Sequence, residues 1–172
     1  MVAEKDAWSR QIFSIFREHA VDFYSYVPDA GNAELIKLVE AESSTQAILL
    51  TTEEEGVALC AGADLVGRRG ALLLQSSGVG NCVNFFSLVK AARFPLFMMV
   101  TMRGEYGETN PWQYAMGQAT LPVLEAMGIL PFVVHRADEL DLAARAGLAA
   151  AFRGGHGAAL ILSQQFLGAK SM

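Results

Sequence analysis

Long apolar runs, clustered basic residues, paired cysteines and metal-ligand spacings are all missing from this sequence of 172 residues, and each absence removes a class of function. The longest apolar stretch falls far short of the ~20 residues that cross a bilayer. No N-terminal stretch has the charged, apolar and small-residue regions of a signal peptide. Neither a spanning segment nor a leader is therefore expected, and the location expected is cytoplasmic. No basic run is longer than Arg68-Arg69, and the net charge is −5. Nucleic acid is not expected as a partner, because neutralising its phosphates needs clustered Lys and Arg. The two cysteines, Cys60 and Cys82, lack C-x-x-C spacing, fall in predicted helices and read as small buried hydrophobes. His19, His135 and His156 are dispersed, without ligand-like spacing to one another or to cysteine, so no metal centre is expected on this chain. Linkers, internal repeats and low-complexity segments are absent too. Residues 1–172 read as a single domain, long enough to bury a core without staples.

What is present is an alternation of strands and helices. Helices are predicted over 6–19, 32–43, 54–66, 79–92, 113–127 and 139–153. Strands are predicted over 21–27, 46–51, 71–75, 96–101, 130–134 and 158–162. Phe97-Met98-Met99-Val100 is apolar at every position, so both faces of its strand must be covered. The hydrophobic fraction of 52% fits the same picture. The fold class expected is α/β: one doubly wound parallel sheet with helices on both faces.

Two strands run into polar clusters that open helices. Ile48-Leu49-Leu50-Thr51-Thr52 leads into Glu53-Glu54-Glu55-Gly56, and Leu72-Leu73-Leu74 leads into Gln75-Ser76-Ser77-Gly78-Val79-Gly80-Asn81. Ligands of parallel α/β sheets bind beyond the carboxyl ends of the strands, where these clusters lie. A carboxylate at a helix start also sits in the positive end of the helix dipole. The glycine segment is not a nucleotide fingerprint, since Gly78-Val79-Gly80-Asn81-Cys82-Val83 lacks the third glycine of G-x-G-x-x-G and no Walker lysine follows. Its glycines are expected to form a loop that lets backbone approach a ligand. Along the preceding helix Gly56, Cys60, Ala63 and Gly67 place small residues on one face, which suits either a close helix partner or tight packing on its own sheet.

Together, Glu54-Glu55-Gly56-Val57-Ala58-Leu59-Cys60-Ala61-Gly62-Ala63, the Gln75–Asn81 segment and Val100-Thr101-Met102-Arg103-Gly104 resemble the pyrimidine-binding domain of thiamine-diphosphate enzymes. There a Glu opens a helix of the form E-x-G-x-x-x-x-A-x-G, and the next strand ends in S-G-x-G. The likeness is strongest to the α subunit of sulfopyruvate decarboxylase and the equivalent half of phosphonopyruvate decarboxylase, and it spans roughly residues 20–165. It implies the thiamine-diphosphate-binding fold and a 2-oxo acid decarboxylase. On that resemblance Glu54 is the catalytic carboxylate, bonded to N1′ of the cofactor's aminopyrimidine and moving a proton there. The alternative for all three glutamates is a solvated acidic first turn.

The resemblance also places Ser77, Gly78 and Asn81 at the cofactor and Gln75, Arg103, Gln113 and Tyr114 at the substrate. Arg103 directly follows a buried strand and needs a partner. That partner is either a substrate anion, bound bidentately, or one of Glu105 and Glu108. Trp112-Gln113-Tyr114-Ala115-Met116-Gly117 departs from the related pattern Q-H-x-x-M-G, with Tyr114 where His stands. No G-D-G motif is present to hold the diphosphate through Mg²⁺. The resemblance thus implies that a β subunit carries the diphosphate and the Mg²⁺, within an α2β2 or larger heteromer. A non-catalytic regulatory or scaffolding subunit of the same fold is the alternative function.

Overall fold

The computed structural model describes residues 7–168, so the expected helix start at residue 6 lies outside the described residues. The elements in chain order are α1 (Ala7–Glu18), β1 (Phe23–Tyr26), α2 (Ala33–Ala41), β2 (Gln46–Leu49), α3 (Glu53–Asp64) and β3 (Gly70–Gln75). After them come α4 (Ser76–Cys82), α5 (Phe86–Ala92), β4 (Leu96–Thr101), α6 (Pro111–Ala126), β5 (Leu130–Val134), α7 (Leu140–Phe152), β6 (Gly157–Leu162) and α8 (Gln164–Leu167). A 3₁₀ turn, Ala137–Glu139, precedes α7. The strands form one sheet of order β2-β1-β3-β4-β6-β5, and every pair is parallel. Among the described residues no helix is long and apolar enough to cross a membrane.

The period-2 alternation of strand side chains divides the interior into two layers. Ala71, Leu73, Phe97 and Met99 pack with Ile12 and Phe16 of α1, Leu35 of α2 and Leu148 of α7. Their neighbours Leu72, Leu74, Met98 and Val100 pack on the other face with Val57 of α3, Val79 of α4, Phe86 of α5 and Leu124 of α6. β4 and β6 are buried at every position, whereas the edge strands β2 and β5 are partly exposed. That contrast explains why the central strands read so clearly as two-faced.

The site is positioned by one feature of this topology. β1 leads into α2 on one face, and its neighbour β3 leads into α4 on the other. The two connections diverge, leaving a crevice between the carboxyl ends of β1 and β3, the switch point where open α/β sheets bind ligands.

The glycine segment corrects an expectation. Residues 76–82 are helical rather than a loop, with Gln75 as N-cap, and a break at 83–85 separates this turn from α5. Its glycines serve helix packing instead. A Cβ on Gly78 would lie 2.6 Å from Glu53 Cγ, and one on Gly80 would lie 3.1 Å from Met116 Sδ. The missing side chains let α3 and α6 close on α4.

Candidate active site at the β1–β3 crevice

The crevice is organised by Asp29, which follows β1 after Val27 and Pro28. Its carboxylate accepts hydrogen bonds from Gln75 Nε2 at 2.7 Å and from Thr101 Oγ1 at 2.6 Å. Behind it Gly31 is so confined that an added Cβ would lie 2.8 Å from both Asp29 Oδ2 and Thr101 Oγ1. Only glycine lets the chain fold back here. Gln75 passes the connection on, since its Oε1 accepts from Ser77 Oγ at 3.1 Å. Beneath them Asn32 is fully buried; its Nδ2 donates to the Leu74 carbonyl at 3.3 Å and its Oδ1 has no partner.

A second carboxylate lies on the other side of the first turn of α4. Glu53 is only 9% exposed, and its Oε2 accepts from Asn81 Nδ2 at 2.7 Å. The Gly78 backbone packs directly against it. Glu54, the carboxylate singled out by the sequence, is half-buried and does not hydrogen-bond to Asn81. Its side chain accepts from Thr52 Oγ1, and that hydrogen bond, with a backbone bond, holds its pKa below the usual carboxylate value against a smaller desolvation effect. Glu55 is exposed and accepts from the Thr51 amide at 2.8 Å. Successive helical residues are ~100° apart around the axis, so three consecutive glutamates point in three directions, and Glu53 is the one bonded to Asn81 of α4. The E-to-last-G spacing of the family pattern runs from Glu53 to Gly62, while Gly56 and Ala61 match the pattern only when it starts at Glu54. The signal is split between two registers.

Arg103 does not offer a free guanidinium. Its Nε and one terminal nitrogen each donate to Glu108 at 2.6 Å, with side-chain exposures of 16% for Arg103 and 1% for Glu108. Glu108 also accepts from the amides of Gly104, Thr109 and Asn110 and from Gln164 Nε2. The Arg103 hydrogen bonds lead the effects that hold the Glu108 pKa far below the usual range, despite opposing desolvation. Hydrogen bonds to Glu108 raise the Arg103 pKa in turn; burial opposes this, and Coulombic attraction to Glu108 and then Asp29 adds to it. Of the nearby glutamates left open by the sequence, Glu108 is the one bonded to Arg103.

Tyr114 Oη donates to the Glu108 carbonyl at 2.5 Å, and Gln113 Oε1 is buried without a partner. Among the described residues, Gln113 and Tyr114 close the 102–110 loop and do not hydrogen-bond to Glu53 or Gln75. Ser76 joins this loop to α4, since its Oγ accepts from the Arg103 amide at 3.1 Å. The structure thus brings Gln75, Ser77, Gly78 and Asn81 together, adds Asp29, Asn32, Thr101 and Glu53, and leaves Glu54 half-buried and bonded to Thr52.

Comparison with solved structures shows the class of the fold. A chain of 2-oxoglutarate:ferredoxin oxidoreductase from Magnetococcus marinus superimposes with a TM-score of 0.69 at 13% identity, over 94% of this chain and 29% of that one. The fold is the thiamine-diphosphate-binding fold expected from the resemblance. No family model matches. The chain is 36% identical over 132 residues to sulfopyruvate decarboxylase subunit alpha of Methanococcus maripaludis, covering 76% of this chain and 79% of that protein. It is also 30% identical over 133 residues to sulfopyruvate decarboxylase of Methanosarcina acetivorans, covering 77% of this chain but 34% of that longer protein. The chain belongs to the sulfopyruvate decarboxylase α-subunit family.

Proposed function

We propose that the chain is the α subunit of a thiamine-diphosphate-dependent 2-oxo acid decarboxylase, and that a second, β chain completes the active site. The observation that carries this reading is the buried carboxyl group of Glu53, held by Asn81 against the Cβ-free turn at Gly78. That arrangement fits an aminopyrimidine, which needs a carboxyl partner for its ring nitrogen and open backbone beside it.

The diphosphate end fits less well on this chain. No G-D-G motif is present, and among the described residues no group of three or more His, Cys, Asp or Glu could hold a metal ion. The β chain is assigned the diphosphate and Mg²⁺, in an α2β2 or larger assembly. The Methanosarcina relative supports this, since about two thirds of its length lies beyond the match.

Thiamine diphosphate, when bound, supplies a nucleophilic carbon and an electron sink for loss of carbon dioxide. Glu53 takes the role first expected of Glu54: its carboxyl group bonds the aminopyrimidine N1′ and moves a proton there. Asn81 orients that carboxyl group. Gln75 and Ser77, bonded to each other, line the substrate side of the same turn. Arg103, Gln113 and Tyr114 hold the loop behind it rather than the substrate.

The test is to purify the chain with its β partner and measure carbon dioxide release from a panel of short 2-oxo acids. Release that requires both chains, thiamine diphosphate and Mg²⁺ is expected. A complex that binds no thiamine diphosphate would contradict the reading.

Gly78→Ala offers a local check. Alanine favours a helix over glycine by about 1 kcal/mol, so the fold should hold, but the new methyl group must push Glu53 aside. Misplacing a reacting group by ~1 Å costs roughly 10²-fold. kcat should fall by about that factor with little change in melting temperature, as activity assays and thermal unfolding together would show.

A further inference from the structure

Side chains from the ends of three neighbouring strands meet at the crevice. Gln75 closes β3, Thr101 closes β4, and the two are register partners. Asp29, beyond β1, bonds both: Oδ1 accepts from Gln75 Nε2 at 2.7 Å and Oδ2 from Thr101 Oγ1 at 2.6 Å. Gly31 confines it from behind, since a Cβ there would lie 2.8 Å from Oδ2. Its charge does not stand alone, because the Coulombic attraction felt by Arg103 comes from Asp29 as well as Glu108.

Gln75 is the one member of this group with two nearly equivalent orientations. Turning its side-chain amide over exchanges oxygen and nitrogen with little change of shape. Ser77 is indifferent to that exchange, because a hydroxyl both donates and accepts. Asp29 is not, because a carboxylate only accepts. It takes the nitrogen and leaves the oxygen to accept from Ser77 at 3.1 Å. The amide has two N–H groups; one is engaged by Asp29, and among the described residues the other meets no acceptor.

We propose that Asp29 is a positioning residue: it holds the Gln75 amide so that an N–H, and not the carbonyl, is offered to the 2-oxo acid. The inference rests on the decarboxylase reading above and deepens it by giving the substrate wall a polarity. The carboxylate and 2-oxo group of such a substrate present acceptors only, as does an anionic tail. A reversed amide sets oxygen against oxygen. The amide as Asp29 fixes it donates instead, and hydrogen bonds to a charged group are the stronger kind. Asp29 acts through Gln75 and does not itself touch the substrate.

The experiment exchanges donor and acceptor between the two residues, in the chain purified with its β partner and assayed on the best 2-oxo acid of the panel. Gln75→Glu alone sets two carboxylates at hydrogen-bond distance and should lower both the melting temperature and kcat/KM. Adding Asp29→Asn restores the bond in the reverse direction at unchanged total charge. The melting temperature should then return close to the wild-type value, while kcat/KM stays about 10 to 10²-fold below it. Gln75→Leu, which removes the donor without adding a charge, should lose kcat/KM to the same order. A second arm does not depend on the exchange folding: Asp29→Ala should cost about tenfold in kcat/KM in the wild-type background, and nothing further once Gln75 is replaced by Leu. A merely structural Asp29 gives the opposite pattern, with activity recovering alongside stability in the exchanged pair and additive losses in the second arm. Either of those results, or wild-type kcat/KM in Gln75→Leu, overturns the inference while leaving the decarboxylase reading intact. Failure of the wild type to release carbon dioxide from any 2-oxo acid removes that reading, and the inference with it.

Discussion

Replacing Glu53 by Gln in the two-chain enzyme should lower kcat by about 10² to 10⁴-fold, the usual contribution of a positioned acid–base group. The amide has nearly the same shape and can still bond Asn81, so unfolding should be little affected. What is lost is the ability to give and take a proton at the aminopyrimidine nitrogen. Glu54→Gln and Glu55→Gln serve as internal controls, because those side chains satisfy Thr52 and the Thr51 amide at the helix start. Their effects on kcat should stay within about tenfold, below the acid–base range. Steady-state kinetics on the three variants separates the assignments. Three equal losses would mean that the acidic turn acts only as a whole, and a loss confined to Glu54 would restore the register first read from the sequence.

Glu108→Ala should be the most destabilising single change near the site. It leaves Arg103 largely buried without its counter-ion and removes the acceptor of the Gly104, Thr109 and Asn110 amides. Breaking a buried pair from one side typically costs about 3–5 kcal/mol. In a chain of this size that lowers the melting temperature by roughly 10 °C. Replacing Arg103 and Glu108 together by apolar residues should recover part of the loss, since no lone charge then remains, but not the part owed to the amides.

The same carboxylate sets a pH dependence. Its folded pKa is depressed, led by the Arg103 hydrogen bonds. The stability it contributes is therefore fully present above the unfolded Glu value of about 4.3. It is lost progressively as the pH falls below that value towards the folded one. Urea unfolding of the wild type should show this decline, and Glu108→Ala should flatten it. An equally steep decline in the variant would place the effect elsewhere.

Much of the fold was legible because its signals are local. Strands apolar on both faces announce a parallel sheet, and β4, buried at all positions, is the clearest case. Helix starts were less secure: a segment with glycines at 78 and 80 reads as a loop by propensity, and only the approach of Glu53 and Met116 explains glycine inside a helix. Strand order was not legible at all, so nothing in the sequence said that Pro28-Asp29 and Gln75 end neighbouring strands. Asp29, Asn32 and Thr101 went unnoticed for that reason. The glutamate cluster was recognised, but the inward-facing member depends on helix phase, and a shift of one residue moves a side chain by ~100°. Arg103 was half legible: its need for a partner followed from the buried strand before it, but the choice of Glu108 depends on how the 102–110 loop folds back.

The central claim is that this chain holds half of a cofactor site, the aminopyrimidine half organised by Glu53. Titrating thiamine diphosphate with Mg²⁺ by calorimetry, first into the chain alone and then into its complex with the β chain, tests it most directly. Weak binding that is indifferent to Mg²⁺ is expected for the chain alone, and tight Mg²⁺-dependent binding once the partner is present. Micromolar or tighter binding to the isolated chain would contradict it.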